Sequence, residues 1–123
     1  MRLRRGRAVA TIAGFLAMAA AACGGAGAGS PASQYQDDPE ALARGEALFK
    51  GVCGAYCHGL KPDHRDAPFL FDCTWKNGAS DPEIFESISR GVGGTRMPPF
   101  ESALSEEDRW KLVAFLRSRA NCP

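Results

Sequence analysis

Apolar positions recur at helical spacing in three stretches of this chain, and none alternates as a half-buried strand would. The first stretch opens at Asp38-Pro39-Glu40, where a capping Asp, a Pro in the first turn and an acid near the positive helix end mark an N-terminus. Leu42, Leu48, Phe49 and Val52 follow and fit one helix face only loosely. The second begins at Ser80-Asp81-Pro82-Glu83, where Ser80 and Glu83 have capping-box spacing, and Ile84, Phe85 and Ile88 precede Gly91. In the third, Ser105 and Asp108 mark the start, and Leu112, Val113, Phe115 and Leu116 give an amphipathic pattern. Arg117 and Arg119 suit its negative end. Between the first two, Gly59 to Gly78 holds Pro62, Pro68 and several turn formers, which predicts an irregular loop. The expectation is an all-α domain over residues 38–123 with about three main helices.

Ahead of that domain, Arg2, Arg4, Arg5 and Arg7 precede an Ala-rich apolar run from Ala8 to Ala22, the pattern of a secretory signal peptide over residues 1–22. The run is too short to span a bilayer. Ala20-Ala21-Ala22-Cys23 resembles a bacterial lipoprotein signal, with Ala20 where Leu is usual, and makes Cys23 the candidate for lipidation; ordinary cleavage near Ala22 leaves it a free thiol instead. Residues 23–37 are rich in Gly, Ala and Ser without an apolar period, which predicts a flexible tether. The expected location is therefore periplasmic or extracytoplasmic, with a membrane anchor if Cys23 is lipidated.

Export changes the charge. Eleven of the fifteen Lys and Arg follow Cys23, against all fourteen Asp and Glu, so that part carries a net charge of −3. A nucleic-acid partner needs a basic patch to neutralise phosphates, and the sequence offers none. The short domain buries a modest core, which a covalent cofactor or disulfide would support.

Candidate chemistry lies in Cys53-Gly-Ala-Tyr-Cys57-His58. Two thiols just ahead of an imidazole suit addition to the two vinyl groups of a haem whose iron the His then ligates. The usual attachment signal has two residues between the cysteines; this one has three. A C-x-x-x-C pair alone is equally a helical-turn disulfide, and the adjoining His favours haem. Zinc would want a fourth ligand and usually a second pair, whereas Cys73 and Cys122 are singletons. After the signal, the chain holds His58 and His64 and one Met, Met97, in Gly93-Gly94-Thr95-Arg96-Met97-Pro98-Pro99-Phe100. A lone Met is more often core filler, but this Gly- and Pro-rich setting favours it as the second axial ligand. His64, six residues from His58, is expected at the surface.

These residues resemble a small class I c-type cytochrome over roughly Pro39 to Ala120. The likeness rests on Gly45-Glu-Ala-Leu-Phe49, Cys57-His58-Gly59, Ala67-Pro68-Phe69-Leu70, Met97-Pro98 and Leu112-Val-Ala-Phe115-Leu116. The resemblance implies one covalently attached haem c, with His58 and Met97 on iron. It implies a close crossing of the first and last helices at Gly45, Phe49 and Phe115, and a bond from the Pro68 carbonyl to the other nitrogen of His58, which would fix its tautomer. Ala67 stands where the family often has Gly. Trp75 is expected near a propionate or the haem edge, with core packing as the alternative. The five cysteines then divide between haem (Cys53, Cys57), lipid (Cys23) and a disulfide between Cys73 and Cys122, formed in an oxidising compartment. That disulfide is no part of the general family pattern.

The function this implies is a one-electron carrier, not an enzyme, between redox proteins such as a dehydrogenase or a terminal oxidase. Two other classes stand against it. An open-site haem enzyme or gas sensor would lack the sixth ligand that Met97 supplies. A copper or thiol-redox protein using Cys53 and Cys57 would need β-α-β units, for which the pattern has no strands.

Overall fold

The computed structural model describes residues 29–63, 66–120 and 122. The expected signal peptide, Cys23 and His64 lie outside the described residues. Three α-helices follow in order, α1 (Pro39–Leu48), α2 (Asp81–Arg90) and α3 (Glu106–Arg119), with no strand among the described residues. Each begins where its capping residues lie. The Asp38 carboxylate accepts from the amides of Glu40 and Ala41 at 2.9 and 3.2 Å. Ser80 and Glu83 form a reciprocal capping box, and the Ser105 hydroxyl accepts from the Asp108 amide at 3.1 Å. Such caps satisfy amides that the first turn leaves without partners.

Gly45 sets the central packing. A Cβ there would stand 2.3 Å from the Lys111 carbonyl oxygen and 2.7 Å from Phe115 Cβ, so α1 lies backbone to backbone on α3. Ala41, Gly45 and Leu48 form the buried face of α1. Phe49, fully buried, sits with its ring 5.2 Å from Phe71 and 5.6 Å from Phe115. Burying one such ring stabilises by about 1.5–3 kcal/mol. α3 is more enclosed than an amphipathic surface helix: Leu112 to Leu116 are all buried, because α1, α2 and an N-terminal segment pack around it.

That N-terminal segment corrects the expected tether over residues 23–37 for its described part, residues 29–37; residues 23–28 lie outside the described residues. Pro31–Tyr35 form a 3₁₀ helix whose Ala32 is fully buried and whose Tyr35 packs on the core. Gln36 Nε2 donates to the Ala114 carbonyl at 3.3 Å, and the Ser30 hydroxyl donates to the Asp81 carboxylate. The small Ala32 side chain lets this backbone settle against α3. Among the described residues, the packed fold therefore reaches back to Ser30, ahead of the expected boundary at residue 38.

The loop after α1 is irregular, as its prolines suggest, and is tied at its far end. Cys73 is bonded to Cys122, with their Cα atoms 5.4 Å apart and a sequence separation of 49. Cys73 takes a positive φ of 65°, an unusual conformation for a residue with a Cβ. The bond joins the chain beyond α3 to the loop that carries Pro68 and Trp75.

Candidate functional site

α1 does not stop at Leu48 but widens into a π-helical turn over Phe49–Gly54, which brings the chain to Cys53 and Cys57. Cys53 is half-buried and Cys57 exposed, and neither is disulfide-bonded. Burial chiefly, and the neighbouring Cys57, push the Cys53 thiol up to about 11, so at neutral pH it is an uncharged thiol in apolar surroundings. A redox-active cysteine needs the opposite shift.

His58 follows and is buried. Its Nδ1 lies 2.7 Å from the Pro68 carbonyl oxygen. A carbonyl can only accept, so Nδ1 carries the proton and Nε2 keeps its lone pair for a ligand. Pro68, which has no amide hydrogen, offers that carbonyl from the loop after the cysteines.

A second approach to the cavity comes from the segment after α2. Gly91, at φ 72°, ends that helix, and a Cβ there would stand 2.5 Å from the Met97 carbonyl oxygen and 2.8 Å from the Pro98 carbonyl carbon. Glycine alone lets the loop fold back so tightly. The Val92 amide donates to the Met97 carbonyl at 3.2 Å, and the Met97 amide donates to Thr95 Oγ1 at 3.1 Å. Thr95 Oγ1 in turn donates to the Val92 carbonyl at 2.7 Å. Both backbone groups of Met97 are thus held, and its half-buried side chain lines the cavity.

Cys53, Cys57, His58, Pro68, Trp75 and Met97 all line one cavity of about 710 Å³. That volume falls within the roughly 300–1,000 Å³ of small-molecule and cofactor sites. Its apolar wall includes Val52, Leu70, Ile84, Ile88 and Leu116. Trp75 is held from behind by Arg117, whose guanidinium carbon lies 5.4 Å from the indole ring and which also donates to Asp81 at 2.6 Å and to the Ala79 carbonyl.

The structure adds two residues that the sequence did not single out. Arg96 Nη2 donates to Asp66 Oδ2 at 2.6 Å, linking the Met97 loop to the Pro68 loop at the cavity edge. Thr95 is the second, through its bond to the Met97 amide. A Thr two residues before the Met was a usable signal for the latter; nothing in the sequence pairs charges thirty positions apart.

The donor set fits a haem. Cys53 and Cys57 would take its vinyl groups, while His58 Nε2 and the Met97 sulfur would take its iron. Among the described residues, no three His, Cys, Asp or Glu side chains converge as a metal cluster, and the strands of a thioredoxin-like copper protein are missing.

Residues 40–116 match the protein family described as cytochrome C oxidase, cbb3-type, subunit III. The chain is 38% identical over 85 residues to the cbb3-type cytochrome c oxidase subunit CcoP of Rubrivivax gelatinosus, covering 68% of this chain and 27% of that protein. It is 32% identical over 92 residues to the subunit FixP of Sinorhizobium medicae (strain WSM419), covering 68% and 32%. The chain thus spans about a third or less of the length of these curated relatives. Among solved structures it resembles cytochrome cL of the marine methylotroph Methylophaga aminisulfidivorans MPT, with a TM-score of 0.60 and 31% identity over 68% of this chain and 56% of that one.

Proposed function

This chain belongs to the family of the cbb3-type cytochrome c oxidase subunit III, with a class I cytochrome c fold and covalently bound haem c, and from that premise we propose that it is a one-electron carrier with His58 and Met97 on iron. The observation that carries this reading is the convergence on one cavity of Cys53, Cys57, a His58 whose Nδ1 is committed to Pro68, and Met97. The haem supplies an iron that changes by a single electron.

The protein's own residues fit it for carrying rather than catalysis. The Nδ1 bond fixes the tautomer and orientation of His58 and raises its basicity toward iron. The Met97 sulfur would fill the position a substrate would need, and His/Met ligation would raise the reduction potential. The apolar wall of Val52, Leu70, Ile84, Ile88 and Leu116 would restrict water at a bound haem and so limit rearrangement on electron transfer.

The relatives named above are oxidase subunits, which supports a redox protein as partner. A dehydrogenase as donor or a terminal oxidase as acceptor is consistent with the reading. Residues 1–23 extend it to an exported protein held at the membrane through Cys23.

The test is spectroscopic. The purified protein should give a pyridine haemochrome of the c type, keep its haem through acid-acetone, and in the reduced state bind carbon monoxide poorly. Complete extraction of the haem would refute covalent attachment. Rapid carbon monoxide binding would move the open-site enzyme or sensor ahead.

A further inference from the structure

We propose that the turn closed by the His58 amide on the Cys53 carbonyl, which continues the π-helical end of α1, absorbs the extra residue between Cys53 and Cys57, so that both cysteines form thioethers while His58 keeps its place relative to Cys53. The proposal rests on the haem c reading above and concerns how this chain meets it with an altered spacing.

In a two-residue signal the second cysteine and the histidine stand three and four positions after the first cysteine. On an α-helical backbone the residue four positions on donates its amide to the first cysteine's carbonyl. Here the histidine stands five positions on. Its amide nevertheless donates to the Cys53 carbonyl, at 2.9 Å, while the Cys57 amide reaches the same oxygen at 3.2 Å. A bond across five positions is the π form, which holds one residue more per turn than the α form. One residue gained in the motif is thus matched by one residue gained in the turn.

The widening begins before the motif. Phe49 to Gly54 are already π-helical, so the turn is continuous with α1 rather than a local bend between the cysteines. Ala55 carries the surplus outward: it is exposed and does not line the cavity, whereas Cys53, Tyr56, Cys57 and the buried His58 all border it. Gly54 cannot take the slack inward, because a Cβ there would stand 3.0 Å from Phe49 Cε1 and 3.2 Å from the Phe49 carbonyl oxygen.

The chemistry balances without a co-reactant. Each Sγ–H adds across a vinyl C=C: a sulfur–carbon bond forms at the carbon next to the ring, and the thiol hydrogen ends on the terminal carbon. The S–H bond and the C=C π bond are lost. No atom leaves and nothing is oxidised.

The test counts thiols in protein matured in its own organism, then denatured and reduced so that any disulfide opens while thioethers survive. Neither Cys53 nor Cys57 should take an alkylating reagent, the haem should stay on their shared peptide, and the haemochrome band should lack the red shift of an unreacted vinyl. Cys53→Ala and Cys57→Ala supply the single-thioether reference for that shift. If one of the two cysteines alkylates while the peptide keeps its haem, the proposal is overturned and the haem c reading stands. If both alkylate and the haem extracts, the haem c reading itself fails. Deleting Ala55 should return the turn to the α form and keep both thioethers; Ala55→Gly, at unchanged length, should keep both thioethers with the wider turn. Loss of one thioether in the deletion alone would overturn the register argument, and where the deleted chain does not accumulate, the wild-type thiol count decides.

Discussion

Met97 is held by its backbone rather than by its side chain. Its amide is bonded to Thr95, its carbonyl to Val92, and Pro98 and Pro99 restrict the chain that follows. Removing the sulfur should therefore leave the loop's backbone bonds in place. In the Met97→Ala protein the weak near-infrared band from sulfur to ferric iron should vanish, the reduction potential should fall, and iron should become open to carbon monoxide or cyanide. Near-infrared absorption and carbon monoxide titration of variant and wild type check this; an unchanged band would show that another group holds the sixth position. At this scale the sequence was most informative, because a single Met after the signal and a His beside two cysteines leave few alternatives. It was silent on the Arg96–Asp66 pair, since a contact across loops follows from how they fold and not from local spacing.

The helices were legible through their caps and apolar spacing, but the way they pack depended on one glycine. Gly45 within a helix costs about 1 kcal/mol relative to Ala through backbone entropy. Ala at that position would nevertheless place its Cβ 2.3 Å from a backbone oxygen of α3, which no rotamer change can relieve. Overpacking of that kind costs about 1–3 kcal/mol or more, and should exceed the propensity gain. Gly45→Ala should thus lower the denaturant midpoint, while Gly51→Ala, where a Cβ would meet nothing within 4 Å, should leave it unchanged or raise it. Paired unfolding curves in the haem-loaded protein check both signs. The π-helical turn was less legible than the crossing. A three-residue gap between the cysteines announces a surplus residue, but an apolar period tuned to the α-helix carries no signal for where a helix widens.

Composition failed where packing is made by small groups. Residues 23–37 have the Gly, Ala and Ser content of a linker, and the average over that stretch hides Ala32 and Tyr35, the two side chains that dock on the rest of the fold. The docking is consequential because α3, the central helix, has its remaining sides taken by α1 and α2. Without the 3₁₀ helix the surface around Ala114 would meet water, and the Ala114 carbonyl would lose Gln36. The segment beyond α3 is secured differently, by the bond from Cys122 to Cys73. Closing a loop of that separation stabilises by about 4 kcal/mol on the chain-entropy model. The two segments thus make separate contributions, one through packing and one through a cross-link, and can be tested apart. A haem-loaded chain beginning at Asp37 should unfold at lower denaturant than one beginning at Gly29, by about 1–3 kcal/mol for the apolar area of Ala32 and Tyr35. Ala32→Asp in the longer chain should reproduce most of that loss, because a carboxylate at a fully buried position has no room to reach water. Equal midpoints for the two lengths, measured with the disulfide intact in both, would return residues 30–36 to the role of a tether.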